Sequence, residues 1–227
     1  MRLPVLLAVV LLLICTSCKL EPLSATPNSN TASPSPAPAA SAGSDEQKTT
    51  NCSLTLAGAP VINGVKLGMT TDELWALFPG SSNDSELRAS ASGVTQFGSA
   101  TVVIRPDQYG SKEKFAGIRE ITARLLDGRV YNYTVNYNGP EYSHVDKFVA
   151  TIAEGANLPS ADQWEAYVGM DNTLKTLRCT EIEVRAFIGG PGGNLNYLDV
   201  KDLIADKNFK DRRKAKAQAQ ASPTPGK

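Results

Sequence analysis

Residues 118–137 read IREITARLLDGRVYNYTVNY. Apolar and polar residues alternate on both sides of Asp127-Gly128, so the stretch is a β-hairpin, Ile118–Leu126 turning into Val130–Tyr137. Its register decides the buried face, because a one-residue slip moves every side chain to the other side. Ile121, Ala123 and Leu125 share one face of the first strand; Tyr131, Tyr133 and Val135 share one face of the second. A two-residue loop would pair Ala123 with Asn132 and set the apolar faces on opposite sides. A three-residue loop, Leu126-Asp127-Gly128, pairs Ile121 with Tyr133 and Ala123 with Tyr131. Apolar then meets apolar, which predicts a type I turn with Gly128 in the left-handed region as a G1 bulge.

Working outward, Thr101–Arg105, Trp164–Val168 and Leu174–Cys179 read as short strands. In Glu181–Ile188, Ile182, Val184, Ala186 and Ile188 share one face, and Gly189-Gly190-Pro191-Gly192-Gly193 turns that strand into Asn194–Val200. The glycine run lacks the Lys-Ser/Thr pair of a phosphate loop, so it reads as a hairpin loop. Helical signals interrupt the strands. In KLGMTTDELWALFPG, residues 66–80, Thr70 and Glu73 make a capping box, Met69 and Leu74 a hydrophobic staple, and Pro79-Gly80 a stop. A helical turn is expected around Glu86–Ala91. Ser143 is expected to cap a helix carrying Val145, Phe148, Val149 and Ile152 on one face. Asp199–Ala205 begins a last helix. The expectation is an α+β domain with a mainly antiparallel sheet and two or three helices packed on it.

The chain begins with a basic Met1-Arg2, an apolar run Leu3–Ile14, and Cys15-Thr16-Ser17-Cys18. The run is shorter than the ~20 residues a membrane span needs and precedes small residues, which is secretory-signal chemistry. It resembles a bacterial lipoprotein signal, which implies cleavage after residue 17 and a diacylglycerol, with acyl chains such as palmitate, on Cys18. An ordinary signal peptide cut near Ser17 is the other reading. Residues 18–50 form a Ser-, Pro- and Ala-rich tether that cannot bury enough apolar surface to order itself. Residues 51–206 are expected to be one domain, and residues 207–227 a basic disordered tail.

The chain holds 23 basic and 23 acidic residues. From Lys207 to Lys216, six basic residues stand against Asp211, a balance of +5, so the remainder carries −5. That is not a nucleic-acid footprint; the tail is a candidate contact for anionic lipid. Export means an oxidising compartment, so Cys52 and Cys179 are expected to pair. His144 is the only histidine, and no second cysteine lies near either of these two, so no zinc-spaced cluster can be written. No Gly-x-Ser-x-Gly or marked nucleophile accompanies His144, and neither catalytic residues nor a cofactor are expected. Tyr131, Tyr133, Tyr137, Tyr142, Trp164 and Tyr167 are polar-tipped aromatics of the kind enriched at interfaces. Tyr131 and Tyr133 are assigned to the hairpin's core face. Tyr137 and Tyr142, flanking Asn138-Gly139-Pro140, are the candidate partner contacts.

Residues 66–80 resemble the Leu-Gly-Met-Thr-x-x-Glu-Val signature of the small outer-membrane lipoproteins of the β-barrel assembly machinery (SmpA/OmlA, or BamE-like). They also resemble the helical half-repeats of β-lactamase-inhibitor-like proteins. The resemblance covers about fifteen residues. It implies a non-enzymatic envelope lipoprotein facing the periplasm, whose small domain binds another envelope protein through a sheet face or loops. Lys19 after Cys18 implies the outer membrane by the enterobacterial sorting rule. A small-ligand or cell-wall-binding lipoprotein is the alternative expectation, and a hydrolase the third. Mass spectrometry of the mature N-terminus should find a diacylated Cys18; an unmodified chain starting elsewhere refutes the lipoprotein reading.

Overall fold

The computed structural model describes Cys52, residues 54–189 and residues 195–221. The chain divides into two units, Met1–Asp45 and Glu46–Lys227, and all described residues belong to the second. Cys15, Cys18, the tether, most of the glycine-rich loop and residues 222–227 lie outside the described residues. The elements in order are α1 (Thr71–Ala76), α2 (Ser85–Ser92), β1 (Ser99–Ile104), β2 (Ile118–Leu126), β3 (Arg129–Asn138), α3 (Val145–Ala156), β4 (Glu165–Ala166), β5 (Leu174–Arg178), β6 (Ile182–Phe187), β7 (Leu195–Asp202) and α4 (Leu203–Ala221). The strands form one seven-stranded sheet in the order β1-β2-β3-β7-β6-β5-β4, with every pairing antiparallel. The α+β expectation holds, with four helices where two or three were foreseen.

The hairpin corrects the expected turn. Leu126 pairs with Arg129 across a two-residue loop, Asp127-Gly128, both at positive φ. That is the I′-like turn whose twist suits paired strands, and Asp and Gly are the residues that tolerate it. The extra residue sits farther along. Val130 faces Leu125, Asn132 faces Arg124, and Tyr131 is bulged between them. The bulge re-phases β3, so Ala123 meets Tyr133 and Ile121 meets Val135. Apolar still meets apolar, but Tyr131 leaves the core face. Its ring lies 6.1 Å from Phe209 of α4.

One face of the sheet carries the core. Val102, Ile104, Ile121, Ala123, Leu125, Val130, Tyr133, Val135, Leu177, Ile182, Val184, Ala186, Leu198 and Val200 are buried there. Leu74 of α1, Phe78 after it, Leu87 of α2 and Val145, Phe148, Val149 and Ile152 of α3 complete the same cluster. The α1 capping box is present as expected: Thr70 Oγ1 accepts from Glu73 N–H, and Glu73 accepts from Thr70 N–H. These bonds to Thr70 hold the Glu73 carboxyl below its usual range. Asp84 caps α2 by accepting from the N–H groups of Glu86 and Leu87.

The N-terminal segment of the domain is pinned at three points. Tyr133, fully buried, donates its hydroxyl to Pro60 O at 2.7 Å. Glu181 accepts from Leu56 N–H at 2.9 Å. Cys52 and Cys179 lie at disulfide distance, their Cα atoms 5.1 Å apart and 127 residues apart in sequence. A closure of that length is worth roughly 4–5 kcal/mol in the chain-entropy account.

Residues 207–221 are not the disordered tail expected. They continue α4, which runs to Ala221 without a break. Asp202 accepts from the N–H groups of Ile204 and Ala205 and so starts the helix. Lys207–Asp211 and Lys210–Asp206 are i,i+4 pairs along it. Phe209 packs against Phe97 and Tyr131, and Arg212 holds both carboxylate oxygens of Asp127 and Phe97 O. The Arg212 bonds keep the Asp127 carboxyl below its usual range. Tertiary anchoring outweighs the polar composition that suggested disorder.

Leu74 has no exposed surface. Leu74→Asp should lower unfolding free energy by roughly 3–5 kcal/mol, since the buried carboxylate has no partner and α1 is too short to stand without its packed face. Denaturant melts check this; an unchanged midpoint would place Leu74 on the surface.

Candidate functional site

The two candidate contact tyrosines meet in one groove. β3 ends at Asn138 and the chain turns through Gly139-Pro140, bringing Tyr137 and Tyr142 to the same side of α3. Tyr137 lies edge-on to Phe148 at 5.4 Å between ring centroids, and Tyr142 lies at the same distance, tilted. Asn196 of β7 donates to Pro140 O at 2.9 Å and so fixes the turn over the sheet. Asn63 donates to Lys114 O at 2.9 Å and ties the groove's other end.

The groove has a volume of about 340 Å³. Phe148, Ile152 and Ala156 are its floor, buried at one-turn spacing along α3. Ile62, Ile118, Pro140 and the two tyrosines are its walls, and Thr151 and Gly155 its rim. A Cβ built on Gly155 meets nothing within 4 Å, so the helix leaves open space there. The lining is mostly carbon, with two phenols and Asn63 at the margins. Such a surface offers apolar burial and a few hydrogen bonds, the chemistry of recognition.

The remaining candidate residues do other things. His144, not Ser143, caps α3: its Nδ1 accepts from Asp146 N–H at 3.2 Å. The backbone of His144 holds the extended conformation a cap requires, one residue later than expected. Ser143 instead accepts from Lys147 Nζ at 3.1 Å. Asp146 also receives Lys175 Nζ at 2.5 Å, joining α3 to β5. Tyr131, Tyr133 and Trp164 are buried, and Trp164 donates to Pro159 O. Tyr167 is exposed on the turn after β4, beside Val168, which is 92% exposed. Among the described residues no three His, Cys, Asp or Glu side chains are grouped to hold a metal ion.

Two features were missed by the sequence reading. Gly155 lies inside α3 on the face that carries Phe148 and Ile152, and a glycine at that spacing was the one signal of open space there. The second lies on the sheet's other face. Glu183, 1% exposed, is ringed by Arg178 at 2.5 Å, Arg185 at 2.8 Å and Lys201 at 3.6 Å. Arg178 and Lys201 are its direct cross-strand neighbours. A buried carboxylate needs such partners. Pairing across three strands cannot be read before the strand order is known.

Comparison with known proteins finds no counterpart: no family model, no curated protein and no solved structure matches the chain.

Burial pushes the Tyr137 phenol well above its ordinary value, and that of Tyr133 further still. A raised folded value stabilises the neutral form. The contribution is complete below the ordinary ~10 and drains away as pH rises above it. Tyr137→Phe should therefore lessen the alkaline loss of stability above pH ~10, read from denaturant midpoints. An identical alkaline loss in the variant would put the phenol in water.

Proposed function

We propose that the chain is an exported, lipid-anchored envelope protein whose domain binds a protein partner, without catalysing a reaction, through the groove beside α3. The observation that carries this reading is the groove itself: about 340 Å³ of apolar space between Tyr137, Tyr142 and the Gly155 rim. It takes one or two apolar side chains of a partner, packed against the two tyrosine rings.

Location rests on the first eighteen residues. Met1–Cys18 has the chemistry of a lipoprotein signal, and Lys19 favours the outer membrane's periplasmic face. The Cys52–Cys179 pair at disulfide distance supports an oxidising compartment. The resemblance of residues 66–80 to the outer-membrane assembly lipoproteins points the same way. No described helix is long and apolar enough to cross a membrane. In this reading the anchor is the acylated Cys18. A second reading is a small apolar ligand in place of the partner, since the groove's volume lies within the ~300–1,000 Å³ of small-molecule sites.

Gly155→Leu fills the groove from its open rim while replacing a residue that costs a helix about 1 kcal/mol. Thermal stability should hold or rise, and crosslinked partner in intact cells should fall about tenfold. Full capture by a folded Gly155→Leu protein would remove the groove from the binding surface. His144→Asn, which keeps a cap acceptor, should restore the phenotype of a deletion strain. Loss of function in that folded variant would reopen an enzymatic reading. Native mass spectrometry of purified protein distinguishes the second reading by a bound small molecule that Gly155→Leu excludes.

A further inference from the structure

We infer that α4 is a docking surface for an anionic phospholipid bilayer. The inference is separate from the groove, which lies beside another helix. Six cations against Asp206 and Asp211 leave α4 at +4, while residues 52–202, with 18 acidic and 13 basic side chains, carry −5. Charge is thus divided between a rod and a body.

The fold sorts these side chains. Phe209 and Arg212 fix one side of the helix to the hairpin end of the sheet, so the opposite side faces outward. Asp206 is turned in, its side chain 15% exposed, while the Lys207 and Lys210 side chains are 77% and 69% exposed. Arg213, Lys214 and Lys216 make no ion pair with any described residue. Arg213 lies over the ring of Phe209 in its own helix at 5.7 Å and stays exposed, whereas Lys216 lies over Phe97 of the body at 5.8 Å and is half-buried.

The arrangement selects the occupant. The exposed cations, Lys207, Lys210, Arg213 and Lys214, are strung along roughly 10 Å of rigid helix, at 1.5 Å per residue, and do not converge on one point, while Arg212 is bonded to Asp127 and Lys216 is drawn to Phe97. A single phosphate satisfies one or two of them. A plane of headgroups satisfies the row. The acidic remainder is repelled by the same plane, so attraction and repulsion together turn α4 toward the bilayer. Each lysine or arginine near such a surface is worth about fivefold in partition coefficient.

The full mature chain carrying Cys18→Ser, which removes any acyl chain, is sedimented with vesicles. One set is an equal mixture of phosphatidylglycerol and phosphatidylcholine, the other phosphatidylcholine alone. Binding should occur only with the anionic set and should vanish near 1 M salt, where the screening length is ~3 Å. Lys210→Glu, Arg213→Glu and Lys214→Glu together should weaken it at least a hundredfold by the same per-charge estimate. Lys214→Arg with Lys216→Arg should retain it. Circular dichroism and thermal melts of each variant separate lost charge from lost helix, and Lys214→Gln alone, on the exposed side, should cost about fivefold with the fold intact. Equal binding to both vesicle sets, no binding to either, or full binding by the folded triple variant would overturn the inference. So would salt-sensitive self-association in place of vesicle binding, which would make the acidic body of a second copy the occupant.

Discussion

One surplus residue in β3 sets the phase of the molecule. With a two-residue turn at Asp127-Gly128, an unbroken ladder would carry Asn132, Thr134 and Asn136 onto the core face behind Val130. The bulge at Tyr131 reverses that parity. Tyr133 and Val135 enter the core, and Tyr137 arrives on the same side as α3. Tyr131 turns the other way and forms the seat for Phe209. Core, groove and the attachment of α4 all follow from a single extra peptide unit.

The groove is where the core's edge stays open. Tyr133 spends its hydroxyl on Pro60, which draws the N-terminal segment across the sheet and sets Ile62 and Asn63 at the groove's end. The segment is held again at Leu56 and at Cys52, so that wall is cross-linked to β5 and β6 regions far away in sequence. On the other side, α3 begins at a histidine cap and is tied to β5 by Lys175–Asp146. Both walls are therefore fixed to the sheet. A recognition surface built on fixed elements loses little conformational entropy when it is filled.

The sheet's two faces solve different problems. The core face is apolar almost throughout. The opposite face carries rows of polar side chains: Asp199 accepts from Asn132 and Thr134, and Glu183 gathers three cations. Polar groups at this burial are tolerated because each has partners across the strands. α4 covers only the hairpin end of that face, through Phe209 and the Arg212–Asp127 pair.

Local chemistry was legible in the letters. Alternation gave the strands and the antiparallel pairing, because side chains on a strand change face at every residue. The Thr70–Glu73 capping box and the one-sided stripe of α3 gave two helices, because cap bonds and apolar spacing lie within a few residues of each other. The cysteine pairing followed from compartment and elimination, and Tyr137 and Tyr142 were singled out from their place beside a turn. Other features depended on neighbours distant in sequence. The position of the bulge was settled by what each face of β3 must touch, Tyr133 against the core and Tyr131 against Phe209. The order of residues 207–221 came from Phe97, Tyr131 and Asp127, which lie about eighty residues or more away in the chain and supply the packing that a polar helix lacks by itself. The groove and the Glu183 cluster exist only once seven strands are laid side by side, since cavities and cross-strand charge pairs belong to tertiary neighbours and leave no spacing in a linear chain.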